Sequence, residues 1–375
     1  MSYLIKLFDE PLLEFNRVEK LDGTDVEIVW TNEKKTNLLP LDLKPDSESL
    51  KKWLKHRTIP ANRAYVQNFL ARNGMNEKDI IGIIDVCKGL SLNDSYWVVR
   101  DDFDGTFSKY NLYENKFSRA LALIAFTGLG SYTRSTFRSS PEFTTGGMLA
   151  KCWRRENGKV LLYKTGTEGF ANSGLEPYSE YYAYQVADAM GIDAIPYNLS
   201  KWKGKMCSTC ELFTNLDFSY VSIGRMVTES GIEAVINYYK KLGAKYYDSF
   251  VDMVVFDALI YNEDRHLGNF GLLVDSHTNK VVDTAPLFDH GLSLFCYGMK
   301  DDLENVGDYA KSRGPAIFRS FDESVKMLIT SRQRKMLHRL YSFSFKKHAR
   351  YNWDSYRMKV IENMICERAR YLSTI

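Results

Sequence analysis

Cysteine is scarce in this 375-residue chain, with six copies scattered along its length. That excludes a disulfide scaffold. The one close pair, Cys207-Ser208-Thr209-Cys210, has no second pair at zinc spacing and reads as two structural thiols. Long apolar runs are also missing. Nothing approaches the ~20 residues needed to cross a bilayer, and the richest stretch, Phe250 to Tyr261, is broken by Asp252 and Asp257. The opening Met1–Glu10 is too short and too acidic for a signal peptide. Excess charge of one sign is absent as well. Fifty Lys and Arg against 47 Asp and Glu leave +3, which neither demands nor excludes nucleic acid. A cytoplasmic protein without membrane contact is expected, touching nucleic acid only indirectly if at all.

What is present is an ordinary folded composition, 45% hydrophobic and 26% charged. The length predicts two or three domains or lobes. The first forty-odd residues alternate apolar and polar, as in Asp25-Val26-Glu27-Ile28-Val29-Trp30, and predict antiparallel strands. From Ser49 the spacing becomes helical, with Leu50, Trp53 and Leu54 on one face, then Tyr65, Phe69 and Leu70 on another. Further helices are predicted from Lys78 to Cys87 and from Lys116 to Phe126. The predicted fold class is α+β. An accessory α+β domain spans 1–125, a β-rich lobe 126–215, and a mainly helical lobe 216–375. The basic cluster Lys51, Lys52, Lys55, His56, Arg57 and Arg63 reads as the solvated face of helices whose Trp53, Leu54, Tyr65 and Phe69 are buried. Contact with an acidic partner or with nucleic acid is its alternative.

Thr144-Thr145-Gly146-Gly147-Met148 opens into a predicted strand. Glycines there let backbone N–H groups approach phosphate oxygens, although a plain turn would look the same. Asn157-Gly158 marks a two-residue type I′ hairpin turn. Counting back from it pairs Glu156 with Lys159, Trp153 with Leu162 and Lys151 with Lys164. Two ammonium groups placed opposite each other repel, so the pairing makes sense if an anion lies beside them and the glycines. Solvated lysines on an edge are the plainer alternative. Glu180 follows in a segment bracketed by Pro177 and Gly191, as a helix would be. Cys210-Glu211-Leu212-Phe213 reads as a strand-to-linker connection, with Glu211 and Phe213 beside an adenine.

Farther along, Tyr261-Asn262-Glu263-Asp264-Arg265-His266-Leu267-Gly268-Asn269 precedes Phe288-Asp289-His290-Gly291. Phosphoryl transfer needs an acid at the acceptor hydroxyl, and an amide oxygen with a second carboxylate on Mg²⁺. Asp264, Asn269 and Asp289 supply those types in that order, as protein kinases do in H-R-D-x-x-x-x-N and D-F-G. The apolar stripe Phe250, Val251, Val254, Val255, Ala258 and Leu259 predicts a buried helix as the mount for Asp264. The strand–turn–strand from Phe270 to Phe288 is expected to bring Asn269 and Asp289 to one end. His266 either touches phosphate or fixes the loop through hydrogen bonds, and loop fixing is the favoured reading.

Taken together, the C-terminal two-thirds resembles the HipA-like serine/threonine kinase family. The residues that carry this are Thr145-Gly146-Gly147-Met148-Leu149-Ala150-Lys151, Lys164, Glu180, Asn262-x-Asp264-x-His266-x-x-Asn269 and Pro286-Leu287-x-Asp289. The first ~125 residues do not look like that family's usual N-terminal domain, judged against ordinary domain sizes. The resemblance implies a bilobal kinase fold that uses ATP and Mg²⁺, with the nucleotide in the cleft between the lobes. It implies Asp264 as catalytic base, Asn269 and Asp289 as metal ligands, and Lys164 on the phosphates, positioned by Glu180. It also implies a protein acceptor bearing Ser or Thr, and a toxin role with an antitoxin-like partner. Autophosphorylation in the glycine loop is implied too, and Thr144 aligns with that position. The D-R-H-x-x-N wording is also similar to phosphoinositide kinases, so a kinase of lipid headgroups or small alcohols is a second reading. A nucleotide-binding pseudokinase scaffold is a third.

Overall fold

The computed structural model of the chain describes residues 1–20, 23–130 and 140–375. It divides into two compact units. One comprises Met1–Lys164 with Leu212–Val221 and Leu273–Val282, the other Thr165–Glu211, Ser222–Leu272 and Asp283–Ile375.

The first unit opens with strands β1 (Ser2–Leu7), β2 (Glu10–Lys20) and β3 (Gly23–Thr31), as the alternation predicts. A fourth strand, β4 (Tyr96–Arg100), completes the sheet in the order β3-β2-β1-β4. β1 is central and antiparallel to both neighbours, with Tyr3 opposite Phe15 on one side and Arg100 on the other. The inward Tyr3, Ile5 and Leu7 share a core with Leu50, Trp53 and Leu54 of helix α1 (Ser47–Lys55). Asp46 starts α1 by accepting from the Ser49 N–H at 2.8 Å.

Helices α2 (Val66–Arg72), α3 (Ile80–Cys87), the single turn α4 (Phe107–Tyr110) and α5 (Arg119–Thr127) follow. Tyr65 is not part of the α2 stripe. It precedes the helix in the left-handed region at φ 61°, where few L residues sit. A second core gathers Ile59, Phe69, Ile83, Ile124 and Phe143, tying these helices to the entry of the glycine-rich segment.

The basic cluster needs correction. Lys51, Lys52, Lys55 and His56 are exposed, but Arg57 and Arg63 are each only 2% exposed. Arg57 lies 2.7 Å from Asp94 and stacks over Trp53 at 4.4 Å. Arg63 is taken up below. Both are interior charges, each beside an acid distant in sequence.

Strands β5 (Lys151–Glu156) and β6 (Lys159–Thr165) form the expected hairpin, with Asn157 and Gly158 at φ 50° and 80°. Two later segments also belong to this unit. The Leu212 N–H donates to the Val160 carbonyl at 2.9 Å, and Tyr220 N–H to that of Asn93 at 2.7 Å. In the 273–282 segment His277 stacks on Phe8 with ring centroids 4.8 Å apart.

In the second unit α6 (Glu176–Met190) runs from Pro177 to a left-handed Gly191 at φ 79°. The hairpin β7 (Tyr197–Trp202) and β8 (Lys205–Glu211) follows, then α7 (Ile223–Met226), α8 (Ile232–Leu242) and α9 (Ala244–Ile260). α9 is buried continuously from Phe250 to Ile260. The final helix, Ser355–Thr374, is joined to it where the Arg368 Nε donates to the Ala258 carbonyl at 3.2 Å. Among the described residues no helix is long and apolar enough to cross a membrane.

Candidate active site

The glycine-rich segment lies in the first unit, between a short 3-10 turn at Pro141–Phe143 and β5. Thr144 is 8% exposed, and its hydroxyl donates to the Leu90 carbonyl at 2.7 Å. The Thr145 hydroxyl donates to the Pro141 carbonyl at 2.7 Å and accepts from the Trp153 indole N–H at 3.0 Å. A Cβ at Gly146 would meet nothing within 4 Å, whereas one at Gly147 would strike the Lys151 ammonium. Gly147 also sits at φ 85°, where a side chain is strained. The loop is therefore open on its Gly146 side and has Lys151 lying over Gly147.

The hairpin register is the one that the Asn-Gly turn predicts: Glu156↔Lys159, Trp153↔Leu162 and Lys151↔Lys164. Lys151 and Lys164 are 5% and 7% exposed, so they are not solvated lysines. Glu211 is exposed, and Phe213 packs edge-on against Tyr220 at 5.6 Å.

Beneath this segment Glu142 is fully buried, 3.6 Å from the Arg63 guanidinium, and accepts from the Trp153 N–H at 3.0 Å. Burial pushes its carboxyl up to about 7, against the pull of Arg63 and of that N–H. A carboxyl raised in the folded state contributes stability that is complete below its unfolded value and lost as pH rises through about 7. Urea unfolding from about pH 5 to about pH 8 should show stability falling, by up to about 1.4 kcal/mol per pH unit from this group. Glu142→Gln should flatten that slope. An unchanged slope would mean that the buried carboxyl titrates elsewhere.

In the second unit Glu180 is fully buried on α6 and accepts from the Ser208 hydroxyl on β8. α9 ends at Tyr261 in the left-handed region, φ 51°, and the chain turns into the Asp264 loop. The loop is internally held. The Asn262 side chain donates to Asp257 at 2.8 Å and accepts from the Asp264 N–H at 3.3 Å, while the Asn269 amide donates to the Asp264 carbonyl at 3.2 Å. His266 is exposed, and its Nδ1 accepts from the Gly268 N–H at 3.0 Å, the loop-fixing geometry.

The organiser of this region is a residue that the sequence reading passed over. Arg265 is 2% exposed, and its guanidinium grips Asp257 with two bonds of 2.9 and 3.1 Å. Its other nitrogen donates to the carbonyls of Asn269 at 2.9 Å and Phe288 at 2.6 Å. One side chain thus draws the Asn269 and Asp289 segments together, aided by the Ala285 N–H on the Gly271 carbonyl at 3.0 Å. Burial alone would lower the Arg265 pKa; Asp257 and Asp289 outweigh it and hold the guanidinium above its ordinary value. Guanidinium only donates, so the His290 Nδ1 at 3.0 Å accepts and the ring proton lies on Nε2. Asp289 itself is left-handed, φ 59°, and its N–H donates to the Tyr197 hydroxyl at 3.0 Å. A strained carboxylate held by surrounding structure is a common mark of a functional position.

The backbones at Asp264, Asn269 and Phe288 therefore meet around the Arg265 and Asn269 side chains within the second unit. Among the described residues no three His, Cys, Asp or Glu side chains gather to hold a metal unaided.

Residues 143–344 match the family model of the HipA-like C-terminal domain. The chain belongs to that family. Among curated proteins, the serine/threonine-protein kinase CtkA of Helicobacter pylori is 29% identical over 140 residues, 34% of this chain and 42% of CtkA. The match thus spans less than half of that relative. In the crystal structure of the H. pylori proinflammatory kinase CtkA, 92% of that chain aligns with 61% of this one, at TM-score 0.47 and 18% identity. HipA from Shewanella oneidensis, solved in a toxin–antitoxin complex with HipB and operator DNA, aligns over 98% of this chain and 97% of its own. There the TM-score is 0.55 and the identity 11%, which shows a shared fold. The likeness to HipA includes the N-terminal residues that lie outside the family match.

Proposed function

We propose that the protein is an ATP- and Mg²⁺-dependent kinase that phosphorylates Ser or Thr on a protein. What supports this is that Arg265 binds the Asn269 and Phe288 carbonyls while the Asn269 amide binds the Asp264 carbonyl, which keeps the three motif segments close. Asp264 orients the acceptor hydroxyl and takes its proton, while Asn269 and Asp289 hold the metal, which neutralises charge on the phosphates. In the first unit the Gly146–Gly147 backbone and the Lys151 and Lys164 ammonium groups bind phosphate oxygens. The Glu211–Phe213 backbone meets the adenine. Family membership and the CtkA match support a protein acceptor.

Thr144 is the proposed autophosphorylation position. Its hydroxyl points at a backbone carbonyl inside the fold, so modification requires the loop to leave that place first. The added charge then disfavours return to a buried seat. A toxin role with an antitoxin-like partner is proposed from the HipA fold likeness, and a cytoplasmic location goes with it.

Incubation with γ-labelled ATP and Mg²⁺, with and without chelator, tests the reading. Label should appear on Ser or Thr of protein and disappear on chelation. Nucleotide binding without transfer would identify a pseudokinase, and transfer only to a small alcohol or lipid headgroup would reassign the acceptor.

A further inference from the structure

Arg63 lies in the N-terminal region, between α1 and α2, and its side chain is completely buried. Its guanidinium donates to three backbone carbonyls of the glycine-rich segment: Glu142 at 3.3 Å, Thr145 at 3.0 Å, and Lys151. These are the entry, the middle and the exit of one loop. The next residue adds a fourth tether, since the Ala64 N–H donates to the Met148 carbonyl at 2.7 Å.

Peptide planarity gives those contacts a direction. In a trans peptide the C=O and the following N–H point opposite ways. Drawing the Thr145 and Met148 carbonyls toward residues 63–64 turns the N–H groups of Gly146 and Leu149 away from them. Gly146 is the residue whose Cβ position meets open space. An array of outward N–H groups in a tight loop is an anion seat. A buried guanidinium is a poor device for stability alone, because apolar packing of similar volume often does as well or better. The three carbonyls are divided between both terminal nitrogens, two on one and one on the other, a spread that a forked donor spans and a point ammonium does not.

We propose that Arg63 is a positioning residue: the N-terminal region aims the amides of the Gly146–Leu149 loop at the phosphates of the nucleotide by anchoring its carbonyls. The inference rests on the nucleotide-binding reading above and extends it to a region outside the family match. It also makes the N-terminal region a route by which phosphate affinity is set from outside the loop.

Titration calorimetry with ATP and with adenosine, on wild type, Arg63→Lys and Arg57→Lys, tests it. Lysine keeps the charge but cannot hold all three carbonyls. ATP affinity of Arg63→Lys should fall roughly tenfold, the loss of about 1.4 kcal/mol of hydrogen bonding. Its adenosine affinity should be unchanged, because adenosine makes no phosphate contact. Arg57→Lys, a buried charge in the same unit away from the loop, should lower the melting temperature and leave both affinities as in wild type. Equal loss of ATP and adenosine, or no loss in Arg63→Lys, overturns the inference. Should that variant fail to fold, Arg63→Gln, which keeps a planar donor but reaches fewer of the carbonyls, must weaken ATP selectively or the idea falls. Wild type binding neither ligand sinks the nucleotide reading itself, a result distinct from wild type binding both while Arg63→Lys matches it.

Discussion

Asp264→Asn should lower the rate of phosphoryl transfer by a factor on the order of 10² to 10⁴, the usual range for losing a positioned general base. Folding should survive, because asparagine leaves the backbone contacts of this residue in place. Its N–H donates to Asn262 and its carbonyl accepts from Asn269, and neither contact involves the carboxylate. Asparagine keeps the shape of the side chain and removes the charge and the basicity. ATP affinity should therefore change little, while the labelled product nearly vanishes. Initial rates and calorimetric ATP binding, measured on the same preparation, separate the two effects. A variant that transfers phosphate at the wild-type rate removes Asp264 from the chemistry. The family match makes the comparison informative, since a pseudokinase would bind ATP equally in both forms and transfer it in neither.

Much of this was legible because the signals are local. The Asn157-Gly158 turn fixes the register of a whole hairpin, and with it the pairing of Lys151 and Lys164. Pro177 and Gly191 bracket α6, and the apolar stripe from Phe250 announces α9. The Asp264, Asn269 and Asp289 motifs declare themselves by residue type and order. What escaped notice was decided by distant partners. β4 carries Tyr96-Trp97-Val98-Val99, buried at every position, so it lacks the alternation that marks a half-exposed strand. Arg57 and Arg63 look like surface charges until Asp94 and Glu142, 37 and 79 residues away, turn out to lie beside them. Arg265 reads as filler within a motif. Its one available clue is Asp257, an acid eight residues upstream on an otherwise apolar helical face.

Removing Arg265 should be the most damaging single change to this unit. Arg265→Met leaves the Asp257 carboxylate buried without its partner and should destabilise the fold by about 3–5 kcal/mol. Activity should vanish as well, because the Asn269 and Phe288 carbonyls lose their shared anchor. Stability and positioning can be separated. The double variant Arg265→Met with Asp257→Asn removes both charges while leaving an acceptor for the Asn262 amide, so most of the lost stability should return. Transfer should not return with it, since no group then draws the Asn269 and Asp289 segments together. Urea unfolding and labelled-ATP rates on the single and double variants check both halves. A stable double variant with native rates would make Arg265 a charge partner only, and would assign the convergence of Asn269 and Asp289 to the Phe270–Phe288 hairpin alone.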